Sequence, residues 1–314
     1  MNTTFKLSLA GIIALALSAC GGQQEAAKPA AASGAGSAPA SAAPAVEKTE
    51  IRFGTTPGDF SDQIKDSIQA ILEKKGYKVT VQEFSDYVTP NKALAEDAID
   101  VNVFQHKPYL DNFKAEHKLD LVEVYQVPTA PLGLYSGKLT SLDQVKDGST
   151  VAVPNDPSNF ARALVMMDSL KWIKLKDGVN PLTASKADIA ENLKNIKLVE
   201  IEAPNLPRSR QDVDFAVVNG NFAISSGMKL TEALFQEPSF AYVNWGAVRT
   251  ADKDSKWVKD VADAYNSDEF KTYAKTRFAG YKFPATWGES AVEGAKAEAS
   301  AVAVSSASAA SAAQ

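Results

Sequence analysis

Residues 150–170 read TVAVPNDPSNFARALVMMDSL, and a change of rhythm inside this stretch decides the fold class. Val151, Ala152 and Val153 make an unbroken apolar run ending at Pro154, the pattern of a buried strand. Asn155 and Asp156 can turn the chain and cap a helix, and Pro157 fits a first helical position, where its missing N–H is not needed. From Ser158 to Leu170 the residues Phe160, Ala163, Leu164 and Met167 recur at helical spacing. A strand that passes through a capped turn into a helix with one apolar face is half of a βαβ unit. It predicts an α/β fold with mostly parallel sheets and flanking helices.

The same alternation runs outward in both directions. Strand-like runs stand at Glu50–Gly54, Lys78–Gln82, Asp100–Phe104, Lys197–Ile201 and Asp214–Val218, and Ile64, Ile68, Ile71 and Leu72 form a second helical stripe. Both stripes are read as core. In open α/β sheets ligands bind beyond the carboxyl ends of the strands, where helix N-termini present free N–H groups to anions. Arg162 lies one turn into the helix that begins at Pro157, so it adds a fixed charge and a two-pronged donor fork there. A ligand carboxylate fits that position. A neighbouring Asp or Glu is the competing partner.

The chain has 314 residues, 45% of them hydrophobic, and a formal net charge of −5. The acidic balance argues against a nucleic-acid partner, which needs a basic face for phosphates. Lys74-Lys75 and Arg208/Arg210, the densest basic spots, read as solvated surface. The one cysteine is Cys20. Before it lie Lys6, an apolar run from Leu7 to Leu17, and the small residues Ser18 and Ala19, which together read as a signal peptide over residues 1–19. Leu17-Ser18-Ala19-Cys20 matches the lipobox of bacterial lipoproteins, so Cys20 is the expected lipidation site and membrane anchor. Residues 20–48 are otherwise rich in Ala, Ser, Gly and Pro and read as a disordered linker, and residues 290–314 as a disordered Ala/Ser-rich tail. The folded body is then roughly 49–289.

The inventory of catalytic residues is thin. His106 and His117 are the two histidines, and their spacing is not that of a metal-binding helix pair. There is no G-x-S-x-G elbow and no glycine-rich phosphate loop. No metal or cofactor is expected, and the reading is not an enzyme. The segment from Asp100 to Leu110 is richer: a strand ends at Phe104, with His106 and Tyr109 just beyond it, where a ligand would lie.

Taken in order, several segments resemble the NlpA-type lipoproteins, the methionine-binding components of bacterial ABC importers. They are the lipobox, Ser85–Asn91, Phe104–Leu110, Val151–Asn159, Glu202–Pro204 with Leu206–Arg208, and Val217–Ala223. The resemblance covers about residues 50–287. It implies a two-lobed periplasmic-binding-protein fold, type II-like, with two hinge crossovers near 129–134 and 239–244. Lobe 1 would take residues 49–130 and 243–289, and lobe 2 residues 131–242. The implied ligand is L- or D-methionine or a methionine-containing peptide, handed to a permease/ATPase complex. The implied location is the bacterial cell envelope, facing the periplasm or the cell surface.

The matching motifs put Tyr87, Phe104, His106 and Tyr109 on one side of the site and Asn159, Arg162, Asn219 and Asn221 on the other. Arg162 would take the α-carboxylate, the asparagines the amino and carboxylate groups, and the aromatics the thioether chain. Pro128–Pro131 departs from the pattern in lacking an aromatic residue, which would reshape the pocket. The alternative is a surface lipoprotein that keeps the lobes as an interaction protein or adhesin.

Overall fold

The first half of the chain alternates strand and helix as the sequence pattern requires. It contains β1 (Glu50–Thr55), α1 (Asp59–Gln63), α2 (Gln69–Glu73), β2 (Lys78–Glu83) and α3 (Thr89–Ala95). It continues with β3 (Val101–His106), α4 (Lys107–His117) and β4 (Leu121–Val127). The next stretch holds β5 (Gly133–Ser136), β6 (Thr150–Pro154), α5 (Pro157–Ser169), β7 (Lys174–Leu175), β8 (Ile189–Glu191) and β9 (Lys197–Ile201). After these come α6 (Leu206–Ser209), β10 (Phe215–Val218), α7 (Gly220–Ser225) and β11 (Phe235–Gln236). The chain then forms β12 (Asn244–Arg249), α8 (Lys256–Asn266) and α9 (Asp268–Arg277). The computed structural model describes residues 48–288, which belong to one compact unit. The signal peptide, Cys20, most of the linker and the tail lie outside the described residues.

Two five-stranded sheets carry the fold, in the orders β2-β1-β3-β12-β4 and β11-β5-β10-β6-β9. Both are mixed. The pairs β1–β2, β1–β3, β6–β9 and β6–β10 are parallel, as βαβ units demand. The antiparallel pairs within these two sheets all involve β5, β11 or β12. Those strands lie next to the two passages between the sheets, Pro128–Leu132 and Glu237–Val243. Strands β5 and β12 enter a sheet from the other half rather than through a covering helix, and β11 is the last short strand before the chain leaves its sheet, so no crossover rule fixes their direction.

Burial follows the apolar stripes. Ile64, Ile68 and Leu72 are fully buried against Phe53 and its neighbours, and a π-helical turn at Ile64–Ile68 links α1 to α2. Phe160, Ala163, Leu164 and Met167 pack on Val151, Val153 and Val217 in the second half. At Gly246 a side chain is impossible, because a Cβ there would stand 2.2–2.5 Å from the Tyr125 ring.

The passages are tied together as well. Thr129 and Lys282 exchange backbone hydrogen bonds of 2.9 Å, and Thr129 Oγ1 accepts from the Asn244 amide at 2.8 Å. A Cβ on Gly220 would meet Ala130 at 2.4–2.7 Å, so the N-terminus of α7 lies flat on the first passage.

Candidate functional site

Four strand-to-helix junctions, two from each sheet, converge on one cavity. The β1–α1 junction brings Phe60, β3–α4 brings His106 and Tyr109, β6–α5 brings Asn159 and Arg162, and β10–α7 brings Asn219, Gly220 and Asn221. This is the carboxyl-end placement that parallel strands favour. The cavity holds about 360 Å³, its mouth included. All eight side chains singled out from the sequence line it: Tyr87, Phe104, His106, Tyr109, Asn159, Arg162, Asn219 and Asn221.

A bulge helps to aim the first wall. The register of β3 against β12 slips so that Gln105 faces Trp245 while Val103 faces Gly246, leaving Phe104 as the extra residue. Asn102 and Gln105 then point together into a buried amide network with Asn91, with bonds of 2.7–2.9 Å. That network pins α3 to β3, and the loop before α3 carries Tyr87. The Tyr87, Phe104 and Tyr109 rings form a cluster with centroids 5.7–6.0 Å apart. Tyr109 Oη donates to the Tyr87 carbonyl at 2.9 Å, so its hydroxyl is used within this wall.

His106 caps α4. Its Nδ1 accepts the Tyr109 backbone N–H at 3.1 Å. A backbone N–H can only donate, so Nδ1 is bare and Nε2 carries the proton. That proton is given to Asn159 Oδ1, 3.1 Å away on the opposite wall. Burial, with the Arg162 charge nearby, lowers the His106 pKa to about 3, so the ring is neutral at physiological pH.

On the second wall Asp156 caps α5 by accepting the Asn159 backbone N–H at 3.0 Å, and it also takes Asn159 Nδ2 at 2.9 and 3.0 Å. That fixes the amide with Oδ1 toward the cavity, where it accepts from His106, Arg162 Nη1 (2.7 Å) and Asn219 Nδ2 (3.0 Å). Arg162 is 5% exposed and meets the buried carboxylate of Glu237 fork on fork, Nε to Oε2 at 2.8 Å and Nη2 to Oε1. Burial works against both charges, but each partner outweighs it: the arginine pKa is raised and the glutamate pKa lowered. A guanidinium has five N–H donors. Three are used here, leaving one on each terminal nitrogen. The guanidinium carbon also lies 4.5 Å from the Tyr242 ring centre.

Two asparagines differ in what they have left. Asn219 Oδ1 is buried with no hydrogen-bond partner. Asn221 has both ends engaged with the first half: its Oδ1 accepts from Tyr87 Oη at 2.6 Å, and its Nδ2 donates to Thr56 Oγ1 at 3.2 Å. Sequence reasoning missed Glu237 and Tyr242, which arrive from the second passage, and the lining residues Phe60, Gln105, Thr129, Ala130, Gly220 and Asn244. Gln105 and Gly220 stood inside segments already singled out, whereas Glu237, between Gln236 and Pro238, looks like any surface acid. Among the described residues no group of His, Cys, Asp and Glu is placed to hold a metal.

Known proteins resemble the chain over nearly all of its described residues. The sequence profile described as NlpA lipoprotein matches residues 51–286. The D-methionine-binding lipoprotein MetQ of Salmonella typhi is 42% identical over 239 residues, covering 74% of this chain and 88% of that one. Its counterpart from Escherichia coli (strain K12) is 40% identical with the same coverage. A solved structure of a nutrient binding protein from Burkholderia cenocepacia bound to methionine is 40% identical, with a TM-score of 0.70, covering 74% of this chain and 99% of that one.

Proposed function

The chain belongs to the NlpA lipoprotein family, and from that premise we propose that it is a substrate-binding protein for methionine, free or within a short peptide. It would hand its ligand to the permease/ATPase complex of an ABC importer. The observation that carries this reading is a pair of unspent polar ends in one aromatic-walled cavity. Arg162 keeps two N–H groups for a carboxylate, and Asn219 Oδ1 keeps an acceptor for an ammonium.

A zwitterion leaving water needs both charges met. A thioether sulfur gains about 0.3–1.5 kcal/mol at aromatic edges, and Tyr87, Phe104 and Tyr109 supply them. The aromatic wall would hold the tail and the asparagine–arginine wall the head.

In this reading residues 49–130 with 243–289 form one lobe and 131–242 the other, and the two passages are hinges about which the lobes close. Cys20 would be lipidated and hold the protein at the envelope, facing the periplasm or the cell surface. No helix among the described residues is long and apolar enough to cross a membrane. The work is capture rather than catalysis.

Thermal unfolding of the full chain with L-methionine, D-methionine and methionine dipeptides tests this. Ligand at 100 times its Kd adds about 2.7 kcal/mol of stability, which raises Tm visibly. No shift with any of them would withdraw the proposal and favour an interaction lipoprotein.

A further inference from the structure

We propose that Glu237 is a specificity-determining residue: seated behind the Arg162 guanidinium, its carboxylate makes the cavity accept a net-neutral zwitterion and reject a ligand bearing a carboxylate alone. This rests on the reading above, in which a ligand carboxylate lands on Arg162. Arg162 is the one formally charged side chain among the lining residues described, which include no Asp or Glu. Without a counter-ion it would attract any small carboxylate. Glu237 does not line the cavity, but it is 7% exposed and doubly bonded to the guanidinium.

Its Oε1 also accepts the Leu132 amide at 3.1 Å, so the carboxylate is anchored by backbone as well as by the arginine. The pair sums to zero. A zwitterion keeps that balance, and its ammonium finds Asn219 Oδ1 open. A simple carboxylate adds an uncompensated charge close to Glu237, away from water, where electrostatic interactions are strong. Further ionisable groups stand near: Asp59, behind Phe60, is held toward its neutral form by burial, and two others carry charge. Lys282 Nζ is 3.9 Å from Glu237 Oε1, donates to the Glu237 carbonyl at 2.7 Å and does not line the cavity. Asp156 is spent on the Asn159 amide. They are opposite in sign and leave the sum unchanged.

A purely positioning role for Glu237 would weaken every ligand that uses Arg162 alike, so the test is a ratio. Calorimetry on the full chain compares L-methionine with 4-(methylthio)butanoate, which keeps the carboxylate and thioether and lacks the amine. The preference for methionine is expected to shrink about tenfold or more in Glu237→Gln and to return in Glu237→Asp. An equal ratio in all three proteins overturns the inference, even if both affinities fall together.

Should Glu237→Gln not fold, the wild type decides. Methionine binding near pH 5, where Asp59, raised by burial to about 7, is already protonated, should take up no proton when measured in buffers of different ionisation enthalpy. Uptake approaching one proton overturns the inference, since a neutral Glu237 cannot exclude an anion. Methioninamide binding as tightly as methionine would remove the carboxylate from Arg162, overturning the parent reading and this inference together. Its weak binding beside an unchanged ratio overturns the inference alone.

Discussion

On the wall built from the β6–α5 and β10–α7 junctions, most polar side chains bond to one another. On the wall built from β1–α1, β3–α4 and the Tyr87 loop, Gln105 and Tyr109 bond within the wall, but His106, Tyr87 and Thr56 reach across the cleft. Asp156, Asn159, Arg162, Asn219 and Glu237 form a chain of bonds needing nothing from the first half. His106, Tyr87 and Thr56 find their partners, Asn159 and Asn221, on the opposite side. On the proposed hinge motion, one wall is therefore assembled in advance, and the other is completed only when the two meet. In the proposed function the head-group site belongs to the assembled wall, and changes there should strike stability and capture together. Changes on the other wall should strike closure.

The largest effect that could break this comparison is on the buried ion pair. Arg162→Met leaves Glu237 buried and uncompensated, which should cost about 3–5 kcal/mol of stability as well as ligand affinity. The double variant Arg162→Met with Glu237→Met should regain most of the stability, because apolar replacement of a buried pair is often neutral or better. It should not regain binding. Urea unfolding and calorimetry read the two losses separately. A single variant as stable as the parent would mean the wall is not assembled in advance.

A smaller effect sharpens the other side. Tyr87→Phe strips the partner from Asn221 Oδ1 in the joined state, and leaving a buried acceptor unpaired costs about 1–3 kcal/mol. The loss should appear in methionine affinity. In a cycle with Asn221→Ala the two changes should be non-additive by about 0.5–3 kcal/mol. Simple additivity would sever the link between the walls.

How much of this was legible in the sequence depended on whether a signal was local. The strand from Val151, the capped turn at Asp156 and the stripe on α5 are local patterns, and the structure has each of them. Strand β12 carries Gly246 at its centre and no alternation, so nothing in its own residues announced it; the need to lie under Tyr125 explains the glycine. Arg162 was visible as a fixed cation beyond a strand end. Glu237 was not, because its meaning lies in a contact 75 residues away in sequence. Asn221 was read as a ligand contact from its motif. It lines the cavity, and its amide also meets Tyr87 and Thr56, a use that only the juxtaposition of the two halves reveals.

The smallest effect concerns pH, and it too divides the walls. Arg162 and Glu237 are both held in their charged forms, so above about pH 5.5, where an unfolded glutamate is also ionised, that pair contributes little slope. Two buried groups of the first half, His106 and Asp59, act with opposite sign there. His106 titrates at about 3 when folded and near 6.5 when unfolded. The folded state then binds fewer protons between those values, and His106 makes stability fall as pH drops through that window. Asp59, at the start of α1, is 1% exposed and is met by the Phe60 backbone N–H at 3.0 Å and by the Tyr281 side chain. Burial raises it to about 7, so its contribution is present near pH 4 and lost as pH rises toward 7.

Asp62, also raised, adds to the same sign, while Asp100, lowered to about 2, acts in more acidic solution. Over the shared window, about pH 4–6.5, the His106 and Asp59 slopes oppose each other, each at most about 1.4 kcal/mol per pH unit. Urea midpoints of the parent should therefore change little between pH 4.5 and 6.5. His106→Gln, which keeps a polar side chain at the cap and removes the titration, should expose the Asp59 slope and lose stability as pH rises. Asp59→Asn should expose the His106 slope and lose stability as pH falls. Two variants sloping the same way would show that the balance lies elsewhere, and that the first wall is not where protons act.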